Sequence, residues 1–402
     1  MHTKQIVTER MRGNLVLNAH PVGTARQVQK QIDYVKNNGD FTDMVDFRVL
    51  VVGASMGYGI ASLITSMWGY GAKAIAVFYD KQPSGKRTAN PGYYNLVALH
   101  RLVKQDGLFV GSINGDAFSD EVKAQAIELV KRKIGKVNML IYSIAAPRRT
   151  HPRSGVVHQA FIKPIGQPYT TKTIDLNREV ITEVTVESAT PDEVNQTISV
   201  MGGEDLEMWV DRLLAENLLA SEPIVLSYSY IGPKITWPIY HTGTIGAAKA
   251  DFKRRIDELD KKLADRLGGN AYISVNKAIV SQASMAIPGV PLYLSLLDAI
   301  MDAKGINEDA IAQMVRLFTE HLKPGQSPTL DAERRIRLDN RELRADVASE
   351  VIKRWEILNT DNFRDLSDFD GLKRRYLNLF GFGVEGVNYS EPVETEIYLP
   401  QL

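Results

Sequence analysis

The sequence of 402 residues lacks cysteine and carries no net charge, since 48 lysine and arginine residues balance 48 aspartate and glutamate residues. The first absence excludes disulfides and thiolate metal sites, and it favours a reducing, cytoplasmic location. The second leaves no long-range field to attract phosphate backbones or anionic lipid. No stripe of basic residues with interleaved aromatics occurs either, so the sequence predicts no nucleic-acid partner.

Long hydrophobic runs are also missing. A membrane-spanning helix needs about 20 consecutive apolar residues, and the nearest candidate, Ala286–Met301, is interrupted by Pro288 and Pro291. Residues 1–12 are polar and basic without an apolar centre, which is not typical of a secretory signal. We therefore expect no contact with a membrane.

Internal repeats and Gly/Ser/Pro linkers are absent as well, which favours one elaborated domain over residues 1–402. Two stretches stand out within it. Residues 147–221 are polar and rich in turns, become helical near Glu204, and are interpreted as a long insertion. Residues 324–402 begin charge-dense, and we expect them to form helices packed on the core.

The rest of the chain alternates short apolar, β-branched runs with amphipathic segments. The runs are Arg48–Gly53, Ala72–Asp80, Leu108–Asp116, Val137–Ala146, Pro223–Gly232 and Ala271–Val280. The amphipathic segments are Tyr58–Trp68, Asn95–Gln105, Asp120–Lys133 and Gly246–Leu267. Strands that are apolar on both faces are typical of a buried parallel sheet. The alternation predicts an α/β fold with a doubly wound, mostly parallel Rossmann-type sheet.

A glycine-rich turn follows the first of these strands directly. Its residues, Gly53, Ala54, Ser55, Met56, Gly57, Tyr58 and Gly59, have the spacing G-x-x-x-G-x-G and precede a predicted helix. Glycines allow the backbone to approach a pyrophosphate, and the helix presents free N–H groups to it. A strand before the turn and a helix after it are the context that supports a nucleotide site. The spacing resembles that of short-chain dehydrogenases/reductases.

Three further strand ends are candidate cofactor contacts. Asp80 ends the second strand, where a carboxylate binds ribose hydroxyls and repels a 2′-phosphate, which favours NADH. Nearby Lys81, Lys86 and Arg87 leave NADPH open as the alternative. Asp116–Ala117 follows the third strand, where an adenine contact is expected, although Asp116 can equally belong to the next helix start. Ile144–Ala145 ends the fourth strand, where the chain passes close to the ribose.

The chemistry of short-chain reductases needs a phenol as proton donor and a lysine beside it. The usual Tyr-x-x-x-Lys is absent, and Tyr240 and Lys249 are nine positions apart. On one straight helix they would be separated by about 13.5 Å of rise and roughly half a turn. We therefore expect Tyr240 to precede a helix that is capped by Thr244, with Lys249 in its first turns. By composition, Tyr228, Tyr230 and Lys234 remain competitors.

These features resemble the bacterial trans-2-enoyl-CoA reductase and V-type enoyl-ACP reductase family, nearly from end to end. The motifs that carry the resemblance are NAHPVG at 18–23, VGASMGYG at 52–59, NGDAFSDE at 114–121, YSIAAPRR at 142–149, MGGED at 201–205, YSYIGP at 228–233, SVNKAIVSQAS at 274–284 and GFGVEGVNY at 381–389. Two positions depart from the family. Met56 stands where a small polar residue is usual, and Ser281 replaces threonine.

The resemblance implies the roles of the site residues. Tyr240 would be the proton donor, Lys249 would bind the nicotinamide ribose, and Tyr230 would lie against the thioester. The cofactor NADH would be contacted by Gly53 to Tyr58, Tyr79, Asp80, Asp116, Ala117, Ile144, Ala145, Ile279, Val280 and Ser281. The implied substrate is an enoyl-CoA or an enoyl-acyl carrier protein, and the implied state is a monomer.

The expected reaction is hydride addition from NADH to the β-carbon of the enoyl thioester, with no metal required. The apolar segment Ile287–Ile300 is a candidate wall for the acyl chain or a plain core helix. A 3-oxoacyl thioester reductase is the alternative; it would use Ser143 but needs the missing Tyr-x-x-x-Lys pair. A second alternative is a non-enzymatic NAD-binding sensor, which would need no paired phenol and ammonium.

Overall fold

A computed structural model describes residues 4–42, 44–323 and 325–400. The strands are β1 (Lys4–Gln5), β2 (Met11–Arg12), β3 (Leu15–Val16), β4 (Arg48–Val52), β5 (Lys73–Phe78), β6 (Val110–Asn114), β7 (Val137–Tyr142), β8 (Arg148–Thr150), β9 (Val157–Gln159), β10 (Tyr169–Asp175), β11 (Val180–Val186), β12 (Leu219–Ser229), β13 (Asn270–Val275), β14 (Arg335–Arg337) and β15 (Val393–Glu394).

Helices connect most of these strands. They are α1 (Pro21–Asn38), α2 (Gly57–Tyr70), α3 (Pro91–Gln105), α4 (Asp120–Lys133), α5 (Pro191–Met201), α6 (Glu204–Ala215), α7 (Trp237–Tyr240), α8 (Thr244–Leu267), α9 (Gln282–Met285), α10 (Val290–Ala303), α11 (Ala310–Arg316), α12 (Ala345–Ile357), α13 (Phe363–Leu366) and α14 (Phe369–Asn378). A 3₁₀ turn at Lys234–Thr236 precedes α7, and a π-helical turn at Leu317–His321 continues α11. None of the helices in the described ranges is long and apolar enough to cross a membrane.

Seven parallel strands form the central sheet in the order β14-β13-β12-β7-β4-β5-β6. From β4 the chain moves outward to β5 and β6, then returns to β7 on the other side of β4. The strand order therefore reverses between β4 and β7. In such sheets ligands bind in the crevice at the carboxyl ends of the two strands where the order reverses. The predicted doubly wound parallel sheet is confirmed.

Strand β4 shows why the sheet is buried on both faces. Val49 and Val51 pack into one apolar cluster with helices α1, α2 and α3, whereas Leu50 and Val52 pack into a second cluster with α4, α6 and α8. All four side chains are 0 % exposed. Alternate residues of a strand point to opposite faces, so the uninterrupted apolar run places helices on both sides of the sheet.

The insertion has its own regular structure. Residues 147–221 form two antiparallel hairpins, β8–β9 and β10–β11, followed by helices α5 and α6. Helix α6 buries Trp209 completely, and its Asp205 accepts a hydrogen bond from Lys123 of α4 over 2.7 Å. The insertion therefore covers one helical layer of the sheet.

The charged segment after residue 330 was expected to be helical throughout, and this is wrong at its start. Arg335–Arg337 is strand β14, which extends the sheet next to β13, and helix α12 begins only at Ala345. Ile336 is 0 % exposed between two arginines, which is the period-two pattern of a strand. Three residues are too short for that pattern to be recognised in a charged context. Residues 324, 401 and 402 of the predicted C-terminal region lie outside the described residues.

Candidate active site

The glycine turn lies where β4 meets β7 at the carboxyl edge of the sheet. Gly53 has a φ of +90°, and a Cβ atom there would lie 2.1 Å from the carbonyl oxygen of Ser143. A Cβ at Gly59 would lie 1.9 Å from the oxygen of Gly53. Helix α2 begins at Gly57, where an added Cβ atom would meet no other atom within 4 Å. The turn thus leaves the N-terminus of a 14-residue helix accessible to a phosphate group.

Met56 occupies the N-cap position of α2 and makes no capping hydrogen bond through its side chain. Asn95 takes part instead, because its Nδ2 donates to the Ser55 carbonyl over 3.0 Å and to the Met56 sulfur over 3.2 Å. The side-chain amide of Asn95, which lies on helix α3, thereby holds the glycine turn in place. No sequence pattern indicated Asn95, since its contact is made across 40 residues.

A cavity of about 250 Å³ opens in front of the turn. Met56 and Gly57 line one side of it, and Ile279 and Val280, which follow β13, line the other. The structure therefore brings together two predicted cofactor segments that are more than 200 residues apart. Ser281 does not line this cavity; its hydroxyl accepts the Ser284 backbone N–H over 3.1 Å and caps the short helix α9.

Asp80 follows β5 and is held by its neighbours. Its backbone N–H and carbonyl are both bonded to the side chain of Asn114, each over 2.9 Å. Its Oδ2 is buried without a hydrogen-bond partner, and burial raises the pKa of the carboxyl group, an effect that the Ser55 and Asn90 side chains oppose. A buried acceptor without a donor fits the place of a ribose hydroxyl. Tyr79, by contrast, is 75 % exposed.

The other predicted cofactor residues lie along the same edge. Asp116 accepts the Phe118 backbone N–H over 3.0 Å, and the Ala117 carbonyl accepts a 2.9 Å hydrogen bond from Lys123. Ile144 and Ala145 follow Ser143 directly at the end of β7, where the chain touches the glycine turn. Both segments therefore lie at the carboxyl edge of the sheet, after β6 and after β7, but neither lines the cavity in front of the turn.

Tyr240 lies before the helix that carries Lys249, as the spacing predicted, but in a short helix of its own and not in the expected loop. Tyr240 ends the four-residue helix α7, and Lys249 is in the second turn of α8. The Lys249 Nζ is 5.2 Å from the centre of the Tyr240 ring. A second detail of the prediction is wrong, because the N-cap of α8 is Gly243 and Thr244 is the first helical residue. The Thr244 hydroxyl instead bonds to the insertion, at Phe161 and Lys163.

Both groups of the pair are perturbed by burial. It raises the pKa of Tyr240 above its ordinary value and lowers the pKa of Lys249 to about 7. The Lys249 ammonium donates to the backbone carbonyl of Tyr230 and lies 5.7 Å from the Tyr230 ring. The rings of Tyr230 and Tyr240 meet edge to face at 4.8 Å. Two phenols and one ammonium thus form a single cluster.

Of the three competing residues, Tyr230 belongs to the cluster, whereas Tyr228 and Lys234 lie elsewhere. The hydroxyl of Tyr228 shares a 2.5 Å hydrogen bond with Ser62 on α2, and the side chain of Lys234 is exposed. The first turn of α10 does approach the cluster, since Val290 and Tyr293 line a narrow cavity together with Tyr240. The segment Ile287–Ile300 therefore both fills the core and contacts the candidate site.

Sequence reasoning missed one residue of this cluster, Glu342. It follows β14, is 1 % exposed, and accepts hydrogen bonds from the hydroxyls of Tyr230 over 2.8 Å and Tyr293 over 2.5 Å. Glu342 lies in a run of charged residues, and such a run favours the interpretation of a solvated helix. Within the described ranges, no group of three or more histidine, aspartate or glutamate residues is arranged to hold a metal ion.

Comparisons with known proteins agree with this geometry. Residues 6–85 match the family model "NAD(P)H binding domain of trans-2-enoyl-CoA reductase", and residues 87–323 match "Trans-2-enoyl-CoA reductase catalytic region". An enoyl-[acyl-carrier-protein] reductase [NADH] from Opitutus terrae is 46 % identical over 98 % of this chain and 99 % of its own. A trans-2-enoyl-CoA reductase [NADH] from Ruminiclostridium cellulolyticum is 44 % identical over 99 % and 100 %.

Solved structures also match this chain over nearly its whole length. A trans-2-enoyl-CoA reductase from Clostridium in complex with NADH superposes with a TM-score of 0.95 at 37 % identity, covering 98 % of this chain and all of the other. The enzyme of the same description from Treponema denticola, in complex with NAD, gives 0.92 at 40 % identity, covering 99 % and 100 %.

Residues 330–393 match a third family model, "Enoyl reductase FAD binding domain". A flavin does not fit the residues found there. The segment has the three-residue strand β14 and helices α12 to α14, without a glycine turn that joins a strand to a helix. Its aromatic side chains fill the core instead, and those at most 5 % exposed are Phe363, Phe369, Tyr376, Phe380 and Phe382.

The sheet order, the glycine turn and the displaced tyrosine–lysine pair thus occur together with matches over nearly the whole length. The chain belongs to the trans-2-enoyl-CoA reductase family.

Proposed function

We propose that this protein catalyses the NADH-dependent reduction of the trans-2 double bond of an enoyl thioester in bacterial fatty acid synthesis, which takes place in the cytoplasm. The observation that carries the proposal is the cluster of Tyr240, Tyr230 and Lys249, which begins where β12 ends, at the same edge of the sheet as the glycine turn. Its Lys249 Nζ lies 5.2 Å and 5.7 Å from the two ring centres. The names of the relatives cover both CoA and acyl carrier protein as the carrier.

The residues suited to hold the cofactor lie along one edge of the sheet. The N-terminus of α2 offers N–H groups to the pyrophosphate, and the buried Oδ2 of Asp80 accepts from the adenosine ribose. Lys249 has three N–H donors, so it would donate to the nicotinamide ribose while keeping its contact with the Tyr230 carbonyl. Bound NADH supplies the hydride that adds to the β-carbon of the enoyl group.

The protein supplies the proton. Negative charge develops on the thioester oxygen after hydride addition, and a phenol in a buried site stabilises it by hydrogen bonding. We assign this role to Tyr240, whose hydroxyl makes no hydrogen bond to a described residue and is free to donate. Its O–H bond breaks, the proton completes the saturated α-carbon, and solvent returns a proton to the phenolate. Lys249 stabilises that phenolate while it is charged.

The experiment is NADH oxidation followed by absorbance, first with crotonyl-CoA, then with a longer enoyl-CoA and with the same acyl group on acyl carrier protein. Turnover with these substrates, and none with a 3-oxoacyl-CoA, supports the proposal. Reduction of the 3-oxoacyl thioester alone would make the chain a carbonyl reductase. NADH binding without turnover of either class would make it a sensor.

The first prediction concerns the proton donor. Tyr240→Phe keeps the ring and removes the acid, so turnover should fall by about 10² to 10⁴, the usual range for a positioned general acid. NADH binding, followed by fluorescence titration, should remain. Lys249→Met should lower both NADH affinity and turnover, because it removes a ribose contact and the charge beside the phenol. Near-normal turnover of Tyr240→Phe would refute the assignment.

The second prediction concerns pH. Because burial lowers the pKa of Lys249 to about 7, its ammonium is present below that pH and is lost above it. The ratio kcat/KM for NADH reports the free enzyme, so it should fall as the pH rises through about 7. In Lys249→Met the decline should disappear, leaving a low and flat profile. A decline that persists in this variant would belong to another group.

The third prediction concerns cofactor choice. The carboxylate of Asp80 repels a 2′-phosphate, so the protein should turn over faster with NADH than with NADPH at equal concentration. Asp80→Ser should bring the rates with NADH and with NADPH closer together. The matched control is Asp116→Ser, which removes a carboxylate farther along the same edge and should affect both cofactors alike. A faster NADPH reaction in the unmodified protein would contradict the role of Asp80.

The fourth prediction concerns assembly. We infer that the protein is a monomer and a single domain. The insertion covers helix α8, where Asp251 accepts from the Gly203 N–H over 3.1 Å and Arg255 pairs with Glu207, so α8 is not available to a second copy. One apolar cluster extends from Val7 to Phe382. Light scattering at micromolar concentration should give about 44.8 kDa, with a single calorimetric transition. A tetramer mass or two transitions would contradict this.

A further inference from the structure

Glu342 accepts hydrogen bonds from three parts of the site. Its Oε1 receives the hydroxyls of Tyr230 and Tyr293, and its Oε2 receives the backbone N–H of Ala278 over 2.8 Å. All three partners donate, which suits an ionised carboxylate. Burial raises the pKa of Glu342, while these hydrogen bonds and the charge of Lys277 oppose that shift.

Tyr230 is held at both of its ends. Its carbonyl oxygen accepts from Lys249, and its hydroxyl donates to Glu342. The chain folds back over that hydroxyl at Gly232, which has a φ of +69°, and a Cβ atom there would lie 2.5 Å from the Tyr230 Oη. The hydroxyl is therefore confined between the Gly232 backbone and the carboxylate.

A phenol has one proton to donate. As long as that proton is bonded to Glu342, Tyr230 can offer only an oxygen lone pair to the substrate. We propose that Glu342 is a positioning residue that turns the Tyr230 proton away from the thioester, so that Tyr240 alone donates to it. The proposal rests on the proposed function, since it concerns the oxygen on which charge develops during enoyl reduction.

The variant Glu342→Gln tests this because it reverses the bond to Tyr230. The Ala278 N–H still needs an acceptor, so the amide oxygen takes that place and the amide NH₂ faces the two phenols. Tyr230 must then accept instead of donate, and its proton turns toward the substrate. NADH affinity should change little, because the Ala278 contact beside Ile279 and Val280 is kept.

The decisive comparison is made in the Tyr240→Phe background, with crotonyl-CoA and NADH. We expect Tyr240→Phe/Glu342→Gln to turn over about tenfold faster than Tyr240→Phe, as a second phenol replaces part of the general-acid contribution. Adding Tyr230→Phe should abolish this gain, because the rescuing proton comes from Tyr230. A carboxylate with a merely structural role would lower turnover further in the double variant. A double variant as slow as, or slower than, Tyr240→Phe overturns the proposal.

Two additional measurements make the result independent of the stability of Glu342→Gln. Tyr230→Phe in the unmodified protein should lose much less turnover than Tyr240→Phe, and an equal loss overturns the proposal. Tyr293→Phe removes the other phenol from the same oxygen and leaves the Tyr230 bond, so it should not rescue Tyr240→Phe; a rescue there overturns the role of Tyr230. If the unmodified protein does not reduce crotonyl-CoA or the other enoyl thioesters, the proposed function itself fails, whichever way the variants compare.

Discussion

The close approach of two strand ends, without a side chain between them, is the constraint on which the rest of the site depends. At Gly53 the backbone lies against the carbonyl of Ser143, so β4 and β7 meet where the strand order reverses. That contact places the start of α2 over the crevice, with Ile144 and Ala145 at the same edge of the sheet. Any side chain at residue 53 would separate the strands or force the turn outward, since its φ of +90° also disfavours other residues.

A second constraint acts on the catalytic cluster. A helix that carried both Tyr240 and Lys249 would hold them too far apart, and the chain resolves this by ending α7 at the tyrosine and beginning α8 after Gly243. The lysine reaches back from the second turn of α8 to the ring and to the Tyr230 carbonyl. In this position the ammonium is buried, and its burial lowers the pKa of Lys249.

Local patterns were sufficient to predict most of the central sheet and the edge at which the candidate site residues lie. Each long strand of the central sheet overlaps an apolar run, and the glycine turn and Asp80 lie at strand ends, where topology alone brings them to one edge. Strand β14 could not be predicted, because three residues between charged neighbours carry too little periodicity. Glu342 escaped for a different reason: its partners lie 49 to 112 residues away, and only the tertiary fold brings them together. Residues 330–393 match a flavin-binding family model, but their aromatic side chains fill the core, so a flavin does not fit there. Sequence similarity does not report such packing.

The position of β14 has a consequence for how the site is completed. The strand that precedes Glu342 joins the sheet beside β13, so the contact between Glu342 and the Tyr230 hydroxyl forms only when this edge strand is in place. The contact that orients Tyr230 is therefore made only after the sheet has extended to β14, whereas the glycine turn rests on contacts with Asn95 and Ser143.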